Sequence, residues 1–319
     1  MPVRNVTALS ILEQSFVYTD QDTLAGILVT TECLLGFLML LGVIIGCFRL
    51  PALKTPFGVL MINQNLAQLL ACTNSGSFFA LGVLLDLKPV TSTSYLFGNL
   101  SILLLPVILG SFLLMSLNRV CACTMPFYYQ KIFGPQIIKV YIVLNWILPI
   151  IATVCIVVFK NCNFIFYHFG WLFTSAPWNE KCGSFLLYYA TYVQLVLSVI
   201  VFAADLITLI VLLGCRSRVY QSHNAETRRR EINFASQVLI QGVIFIMHGF
   251  WYDSGYAWIP GDSESWKIFF TTSFSSNLLH VFDPLIVFAF NNEFRRWVLG
   301  KKNKIAAQHK ITMVSSNNH

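Results

Sequence analysis

The chain has 319 residues, of which 56% are hydrophobic and 11% are charged, and its formal net charge is +7. Soluble domains carry about 25% charged residues, so this composition excludes an ordinary soluble protein. The basic residues are divided among several short segments, which argues against a nucleic-acid-binding surface. We therefore expect a membrane protein with no nucleic-acid partner.

Seven apolar segments, taken in chain order, are each long enough to cross a bilayer, which takes about 20 residues of helix. Lipid cannot satisfy exposed backbone N–H and C=O groups, so we predict that every segment is an α-helix. A transmembrane β-barrel would instead show alternating segments of about ten residues. The fold class expected is an all-α bundle whose spans cover 23–48, 56–85, 95–123, 140–159, 183–215, 232–252 and 268–290.

The basic residues orient this bundle. Sixteen of the 21 Lys and Arg lie in the loops after the first, third and fifth spans and in the C-terminal tail. The positive-inside rule places these segments in the cytoplasm. We expect an extracellular N-terminus over 1–22, a seven-helix bundle over 23–290 and a cytoplasmic tail over 291–319, in a multi-pass protein of the plasma membrane.

The extracellular segments carry two candidate modification sites. Asn5 begins an Asn-Val-Thr triplet, which is a glycan acceptor in an exported segment or a chance match. Cys162 and Cys182 are the two cysteines in an extracellular loop, where the compartment permits a disulfide, although two free thiols remain the alternative. No cysteine pair has metal-ligand spacing supported by histidine, so we expect no metal site.

The cytoplasmic end of the third span combines a charge with a helix stop. Arg119 lies at the end of a long apolar helix, where its side chain can extend toward water. Pro126 follows seven residues later and ends or kinks the helix. Taken alone, these residues indicate a positive-inside anchor followed by a helix end.

The spacing of this segment resembles the Asp-Arg-Tyr element of rhodopsin-like G-protein-coupled receptors. Arg119, Ala122, Pro126 and Tyr129 match that pattern, whereas Asn118 replaces the acid. The resemblance implies a seven-helix receptor that couples to a heterotrimeric G protein. The residues implied in coupling are Asn118, Arg119, Pro126 and Phe127.

The seventh span carries a second element of this resemblance. Asp283-Pro284 is similar to the superfamily's Asn/Asp-Pro-x-x-Tyr element, without its tyrosine. Residues 292–298 follow, and their Phe294, Trp297 and Val298 can share one helical face. The resemblance implies a short amphipathic eighth helix along the inner leaflet.

Finer motifs resemble a nematode chemoreceptor group, serpentine receptor class x, over nearly the whole chain. This resemblance implies a chemosensory receptor and, by extension, a sensory-neuron cilium. The motifs are 117–119 (LNR), 129–133 (YQKIF), 205–208 (DLIT), 230–234 (REINF), and Cys162, Phe164 and Trp171.

The chain departs from the superfamily pattern at several points. The usual cysteine at the outer end of the third span is missing, which favours a bond within the loop between Cys162 and Cys182. Leu70 stands where many relatives have an aspartate, and the sixth span contains no proline. Because Asn118 cannot ionise, a protonation-controlled latch between adjacent acid and arginine is absent.

Polar residues at membrane depth are costly and mark functional sites. One interpretation is a network that repacks on activation, below residues that contact the ligand. The alternative is static hydrogen bonding between helices, worth about 0.6 kcal/mol per bond. The predicted activation network consists of Asn65, Asp205, Asp283 and Pro284, together with the other amides of the second span, Asn63, Gln64 and Gln68. The predicted ligand contacts are Glu32, His248, Asn277 and His280.

We expect a receptor, not an enzyme, with no cofactor and with a small-molecule ligand (odorant, pheromone or metabolite), a heterotrimeric G protein and membrane lipids as partners. Outer-half aromatic residues line the pocket or form an interfacial belt. A small-solute transporter or channel is the alternative, but the inverted repeats and paired broken helices typical of transporters are not found in the sequence. An intramembrane hydrolase is not expected, because no span carries a Ser or Asp pair with a plausible base.

Overall fold

The computed structural model describes residues 18–175, 182, 192–214 and 225–300. Asn5 and residues 301–319 of the predicted tail lie outside these ranges, as does most of the predicted extracellular N-terminus.

The described chain is mainly helical. Its helices are α1 (Asp20–Arg49), α2 (Pro56–Phe78), α3 (Lys88–Ser92), α4 (Ser94–Thr124), α5 (Pro126–Ile132), α6 (Pro135–Val154), α7 (Gln194–Gly214), α8 (Ala225–Ser254), α9 (Glu264–Thr271), α10 (Ser273–Phe290) and α11 (Asn292–Val298). Single π-helical turns, Phe79–Leu84 and Cys155–Phe159, extend α2 and α6 at the end of the bundle that is predicted to be extracellular and is called the outer end below. Proline is the first residue of α2, α5 and α6. The backbone N–H that proline lacks would have no acceptor within the helix at this position.

The predicted seven-helix bundle is confirmed. Six of the described helical segments, the last being α9 with α10, are long and apolar enough to cross a membrane. The other long helix, α8, is 30 residues long and carries buried Gln237 and Gln241 within its apolar sequence. Helices α6 and α8 contain the fourth and sixth predicted spans. They begin five and seven residues before the predicted starts, because their polar first turns carry no hydropathy signal.

The helices pack in a ring with α4 near its centre. Helix α1 packs on α2 and α10, α4 packs on α2, α6 and α7, and α8 packs on both α7 and α10. Large apolar side chains cover the outward faces, most of all on α6, as expected for surfaces that contact lipid.

An antiparallel hairpin at the outer end was not predicted. Strands β1 (Phe164–Tyr167) and β2 (Leu172–Ser175) pair so that Phe166 lies opposite Phe173. The turn between them places Gly170 at φ 90° and Trp171 at φ 46°. Cys162 and Cys182 form a disulfide beside this hairpin, which confirms the bonded alternative.

Helix α11 directly follows α10. Phe294 is fully buried, and a side chain at Gly46 of α1 would overlap its ring. Only a glycine at position 46 therefore lets α11 contact α1. Trp297 and Val298 are 36% and 60% exposed. Their contact with the inner leaflet, and hence an amphipathic eighth helix, stays a prediction.

Candidate functional site

Asp283 is the centre of the polar interior. Its Oδ2 accepts hydrogen bonds from Gln64 Nε2 at 2.8 Å and from Gln68 Nε2 at 2.7 Å. Its Oδ1 accepts a further bond from Gln241 Nε2. The carboxylate of α10 is thus bound by two amides of α2 and one of α8, and these bonds connect three helices.

His280 connects this junction to the residues predicted to contact ligand. His280 Nδ1 lies 3.4 Å from Gln68 Oε1, one turn before Asp283. Because the Gln68 amide nitrogen is used by Asp283, its oxygen is the acceptor and His280 Nδ1 is the donor. A continuous chain of hydrogen bonds therefore runs from His280 through Gln68 and Asp283 to Gln241.

The other predicted ligand contacts lie in the same interior. Asn277 accepts from the Cys33 thiol at 3.3 Å, and His248 Nε2 lies 3.3 Å from the Ser276 hydroxyl. Both carboxylate oxygens of Glu32 are buried and have no hydrogen bond to any described residue. His248 thus contacts α10, Asn277 contacts α1 and His280 contacts α2, whereas Glu32 of α1 makes no hydrogen bond to a described residue.

Asn65 and Pro284, two members of the predicted activation network, make no hydrogen bond to Asp283. The Asn65 amide donates to Met61 O within its own helix, at 2.7 Å. Pro284 has no N–H for the carbonyl of His280, and that carbonyl lies against α1 at Gly36. The hydrogen bonds of Asp283 therefore come from Gln64 and Gln68, which are two of the second-span amides predicted for this network, and from Gln241, which the sequence had not assigned to it.

A second polar junction joins α2, α4 and α6. Asn63 donates to Ser111 Oγ at 2.8 Å and accepts from Trp146 Nε1 at 2.8 Å. Asn145 also donates to Ser111 Oγ, at 3.0 Å. Asn63 is one of the second-span amides noted in the sequence, but no sequence pattern marked Ser111, Asn145 or Trp146.

The inner end of α4 carries the predicted coupling residues. Asn118 and Arg119 are 2% and 8% exposed. Asn118 donates to the Tyr129 hydroxyl of α5 at 3.1 Å, and the Arg119 guanidinium lies 4.3 Å from the ring centroid of Phe57. Asp205 on α7 is 1% exposed, and neither of its carboxylate oxygens has a hydrogen bond to any described residue. A Cβ placed on Gly242 of α8 would lie 3.7 Å from Asp205 Oδ2, so this member of the predicted activation network lies between α7 and α8 and is not bonded to Asp283.

Helix α5 presents an apolar side chain at this inner end. Pro126 is its first residue, and Phe127 is 94% exposed. Phe133, at the other end of α5, is 3% exposed and packs on Tyr129 and Tyr141. Phe127 therefore makes almost no packing contact in this chain.

The β1–β2 hairpin covers the outer end of the bundle. Trp171 Nε1 donates to Asp22 of α1 at 2.7 Å, and Ser273 of α10 donates to Trp171 O at 2.6 Å. Phe164 N donates to Asn99 of α4 at 3.0 Å. These bonds attach the hairpin to three helices.

Aromatic side chains fill the space below the hairpin. Phe78 and Phe79 of α2 are at most 1% exposed and contact Phe166 at centroid distances of 4.8 and 5.8 Å. Trp171 contacts Phe269 in the same way, at 5.7 Å. These residues form an outer core, an arrangement that differs from both the open pocket and the interfacial belt considered from the sequence.

His168 in the hairpin turn is a half-buried titratable group at this outer end, close to Asp22, Asp86 and Lys88. Burial lowers the pKa of its imidazole, although Asp22 and Asp86 oppose that effect. Its ring packs edge-on against Phe166 at 4.9 Å. His168 is therefore more readily protonated when the hairpin is open.

Within the described ranges, no three His, Cys, Asp or Glu side chains form a group that could hold a metal ion.

Comparison with known proteins assigns the chain to a family. Residues 31–291 match the family described as serpentine type seven-transmembrane G-protein-coupled chemoreceptor Srx. The chain is 58% identical to Serpentine receptor class X-43 of Caenorhabditis elegans, over 100% of both chains. It is 23% identical to Serpentine receptor class X 45 of the same organism, over 86% of this chain and 80% of that one.

A solved structure supports the fold. The crystal structure of squid rhodopsin matches with a TM-score of 0.71, over 92% of this chain and 84% of that one, at 13% identity. Family and fold are those of a multi-pass membrane receptor and not of an enzyme. The chain belongs to the Srx family of serpentine, seven-transmembrane chemoreceptors of the G-protein-coupled type.

Proposed function

We propose that this receptor binds a small extracellular molecule in the outer half of its bundle and activates a heterotrimeric G protein through its cytoplasmic face. It acts in the plasma membrane, with an extracellular N-terminus that is glycosylated at Asn5. In a nematode, a sensory-neuron cilium is the expected site. One observation carries the proposal: the hydrogen-bonded chain from His280 through Gln68 and Asp283 to Gln241.

The ligand is a small and largely apolar molecule. The hairpin and the aromatic core below it leave little room for a large ligand at the outer end. His248, Asn277 and His280 offer a few hydrogen-bonding groups in apolar surroundings, which is the usual composition of a small-molecule site. An odorant, a pheromone and a metabolite all fit this description.

The chain of hydrogen bonds transmits the effect of ligand binding to the inner face. A ligand shifts the balance between two helix packings only by its difference in affinity for them. A ligand that takes the hydrogen bond of His280 weakens the hold of Gln68 on Asp283. Helix α8, bound to Asp283 through Gln241, is then free to move relative to α2 and α10.

The inner face offers two contacts for the G protein. Arg119 lies at the end of α4, with Asn118 beside it bound to Tyr129. Phe127 projects from α5 as an apolar side chain with 94% exposure. Aromatic residues are enriched at protein interfaces, whereas Arg119 is 8% exposed and becomes a contact only when the helices around it separate.

Ligand dependence is tested by screening volatile and secreted small molecules on cells that express the chain with a calcium or cyclic-nucleotide reporter. Each active molecule is retested on His280→Leu, and Leu85→Ala, an exposed apolar position, is the matched control. We expect at least a tenfold loss of potency in His280→Leu only. Equal potency in all three proteins would contradict a site at His280.

Orientation is tested separately with an epitope tag placed before Thr23. Antibody should bind this tag on intact cells. Removal of N-linked glycans should reduce the mass of the wild type and leave that of Asn5→Gln unchanged. A tag reached only after permeabilisation would invert the orientation and exclude the coupling face proposed above.

A further inference from the structure

Trp171, in the turn of the outer hairpin, bonds two helices at once. Its indole Nε1 donates to Asp22 Oδ1 of α1 at 2.7 Å, and its carbonyl oxygen accepts from Ser273 Oγ of α10 at 2.6 Å. Trp171 is 3% exposed, and its φ of 46° lies in the left-handed region, which is uncommon for a bulky residue. A backbone strained in this way persists only where its surroundings hold it. The two hydrogen bonds and the packing of the buried ring hold it here.

Ser273 also bonds Asn277, which is one of the predicted ligand contacts. The carbonyl oxygen of Ser273 accepts from Asn277 Nδ2 at 2.7 Å, and Asn277 Oδ1 accepts from the Cys33 thiol of α1 at 3.3 Å. Because a carbonyl oxygen can only accept, these two bonds fix the orientation of the Asn277 amide. The second amide N–H and the second lone pair of the amide oxygen have no partner among the described residues.

These hydrogen bonds form a closed ring. Asp22 and Cys33 belong to the same helix, so the path from Asp22 through Trp171, Ser273 and Asn277 to Cys33 returns to α1. All of these residues except Ser273 are at most 5% exposed. Removal of one member therefore leaves a buried polar group unpaired, which is costly where water does not replace the lost bond.

The ring passes through the break between α9 and α10. Helix α9 ends at Thr271 and α10 begins at Ser273, and Thr272 between them has φ −113° and ψ −90°. Asn277 lies one turn after Ser273. The hairpin thus bonds α10 at its first residue, so a displacement of the hairpin acts directly on the turn that carries Asn277.

We propose that Trp171 is a positioning residue for Asn277. The closed hairpin fixes, through Ser273, the direction in which the Asn277 amide presents its remaining N–H and lone pair to the interior. Opening of the hairpin and reorientation of Asn277 are therefore one event. The consequence for ligand binding rests on the proposed function, whereas the ring itself is tested without ligand or G protein.

The Cys33 thiol reports on the ring, because its S–H stretching frequency rises when its hydrogen bond to Asn277 weakens. Infrared spectra of the purified full chain in lipid nanodiscs are recorded for each variant with and without Cys33→Ala, and the difference isolates the Cys33 band. Trp171→Phe keeps an aromatic ring and removes the indole N–H, and Ser273→Ala removes the hydroxyl. We expect both variants to move the band to higher wavenumber. Ser273→Thr, which restores a hydroxyl, should return it to the wild-type position.

Trp251→Phe is the matched control. Trp251 Nε1 donates to Phe270 O at 3.1 Å, at the same end of the bundle but outside the ring. The Cys33 band of this variant should stay at the wild-type wavenumber. An unmoved band in folded Ser273→Ala would overturn the proposal, even if Trp171→Phe does not fold. An equal shift in Trp251→Phe would also overturn it, because general loosening of the outer end would then explain the effect.

The ring and the proposed function fail separately. Each molecule active in the screen described above is retested on Ser273→Ala, where we expect a loss of potency of about threefold together with the shifted band. A shifted band with unchanged potency would overturn the role of the ring in ligand binding and leave the ring in place. An unmoved band with reduced potency would overturn the ring and leave the ligand site.

Discussion

Gln68 and Asp283 are hydrogen-bonded at 2.7 Å across the interface of α2 and α10, and the same glutamine accepts from His280 one turn farther out. A single side chain thus contacts both His280, one of the predicted ligand residues, and the acid that binds α8. This relationship gives the interior a direction, from the half that carries the β1–β2 hairpin toward the end that carries Arg119.

The Asp283 junction should contribute measurably to stability. Asp283→Asn replaces an acceptor of three amide bonds with a group that has one oxygen and its own N–H donors. Interhelical hydrogen bonds in membranes average about 0.6 kcal/mol, so we expect a loss of about 1–2 kcal/mol. Thermal unfolding in detergent measures it, with Asp253→Asn as the exposed control. Equal melting temperatures for the two variants would show that the junction is not stabilising.

Gln68 and Gln64 form a matched pair for testing the polar chain. Both donate to Asp283, but only Gln68 also contacts His280. Gln68→Leu and Gln64→Leu should therefore lose similar stability, whereas only Gln68→Leu should lose at least tenfold in agonist potency. Concentration–response curves at matched surface expression decide it. A similar loss of potency in both variants would mean that the link to His280 carries no signal.

How much of this site the sequence predicted depends on the kind of pattern involved. Hydropathy predicted the spans and the inner end of α4, because helices that contact lipid have continuous runs of apolar residues. It also marked Asp283 as an acid at membrane depth. It did not distinguish Asn65, which bonds its own helix, from Gln68 three residues later, since a small rotation of α2 decides which amide faces α10.

Long-range contacts account for what was missed. The hairpin depends on register between residues 164–167 and 172–175, and its local signals were the aromatic-rich strands and Gly170. Such short segments fit no helical or transmembrane pattern. The hydrogen bonds of Asp283 likewise arise only when α10 packs on α2 and α8, and Gln64 and Asp283 are 219 positions apart in the sequence.

Phe127 and Phe133 lie at opposite ends of α5, and their replacement should affect different properties of the protein. Phe127→Ala removes an exposed ring, so we expect unchanged stability and about a tenfold fall in the rate of G-protein activation. Phe133→Ala removes a buried ring and should cost about 3–5 kcal/mol of stability. Nucleotide-exchange rates and melting temperatures of both variants test this. Wild-type exchange rates in Phe127→Ala would exclude α5 from the interface.

The outer hairpin should loosen in acid. Burial lowers the pKa of His168 below its usual value of about 6.5, so the open hairpin binds a proton more readily than the closed one. The stabilisation of the hairpin by the neutral imidazole is complete above pH 6.5. It is lost as the pH falls through the lower pKa that His168 has in the folded state. Amide exchange in residues 164–175, corrected for intrinsic rates, should show lower protection at pH 5 than at pH 7.5.

Replacement of the imidazole checks the cause of that change. In His168→Phe the ring packing on Phe166 is kept and the titrating group is removed. The change in protection between pH 7.5 and pH 5 should shrink toward zero. A full pH effect in His168→Phe would assign it to other groups, such as Asp22 and Asp86.

The most direct test of the receptor account measures nucleotide exchange by purified G proteins in vesicles that contain the chain. The wild type should accelerate exchange over empty vesicles, and Arg119→Ala should abolish that acceleration. The double variant Arg119→Ala/Asp205→Asn, which removes both ionisable side chains buried in the inner half of α4 and α7, should be equally inactive while keeping its fold. Exchange at the wild-type rate in this folded double variant would contradict coupling through Arg119.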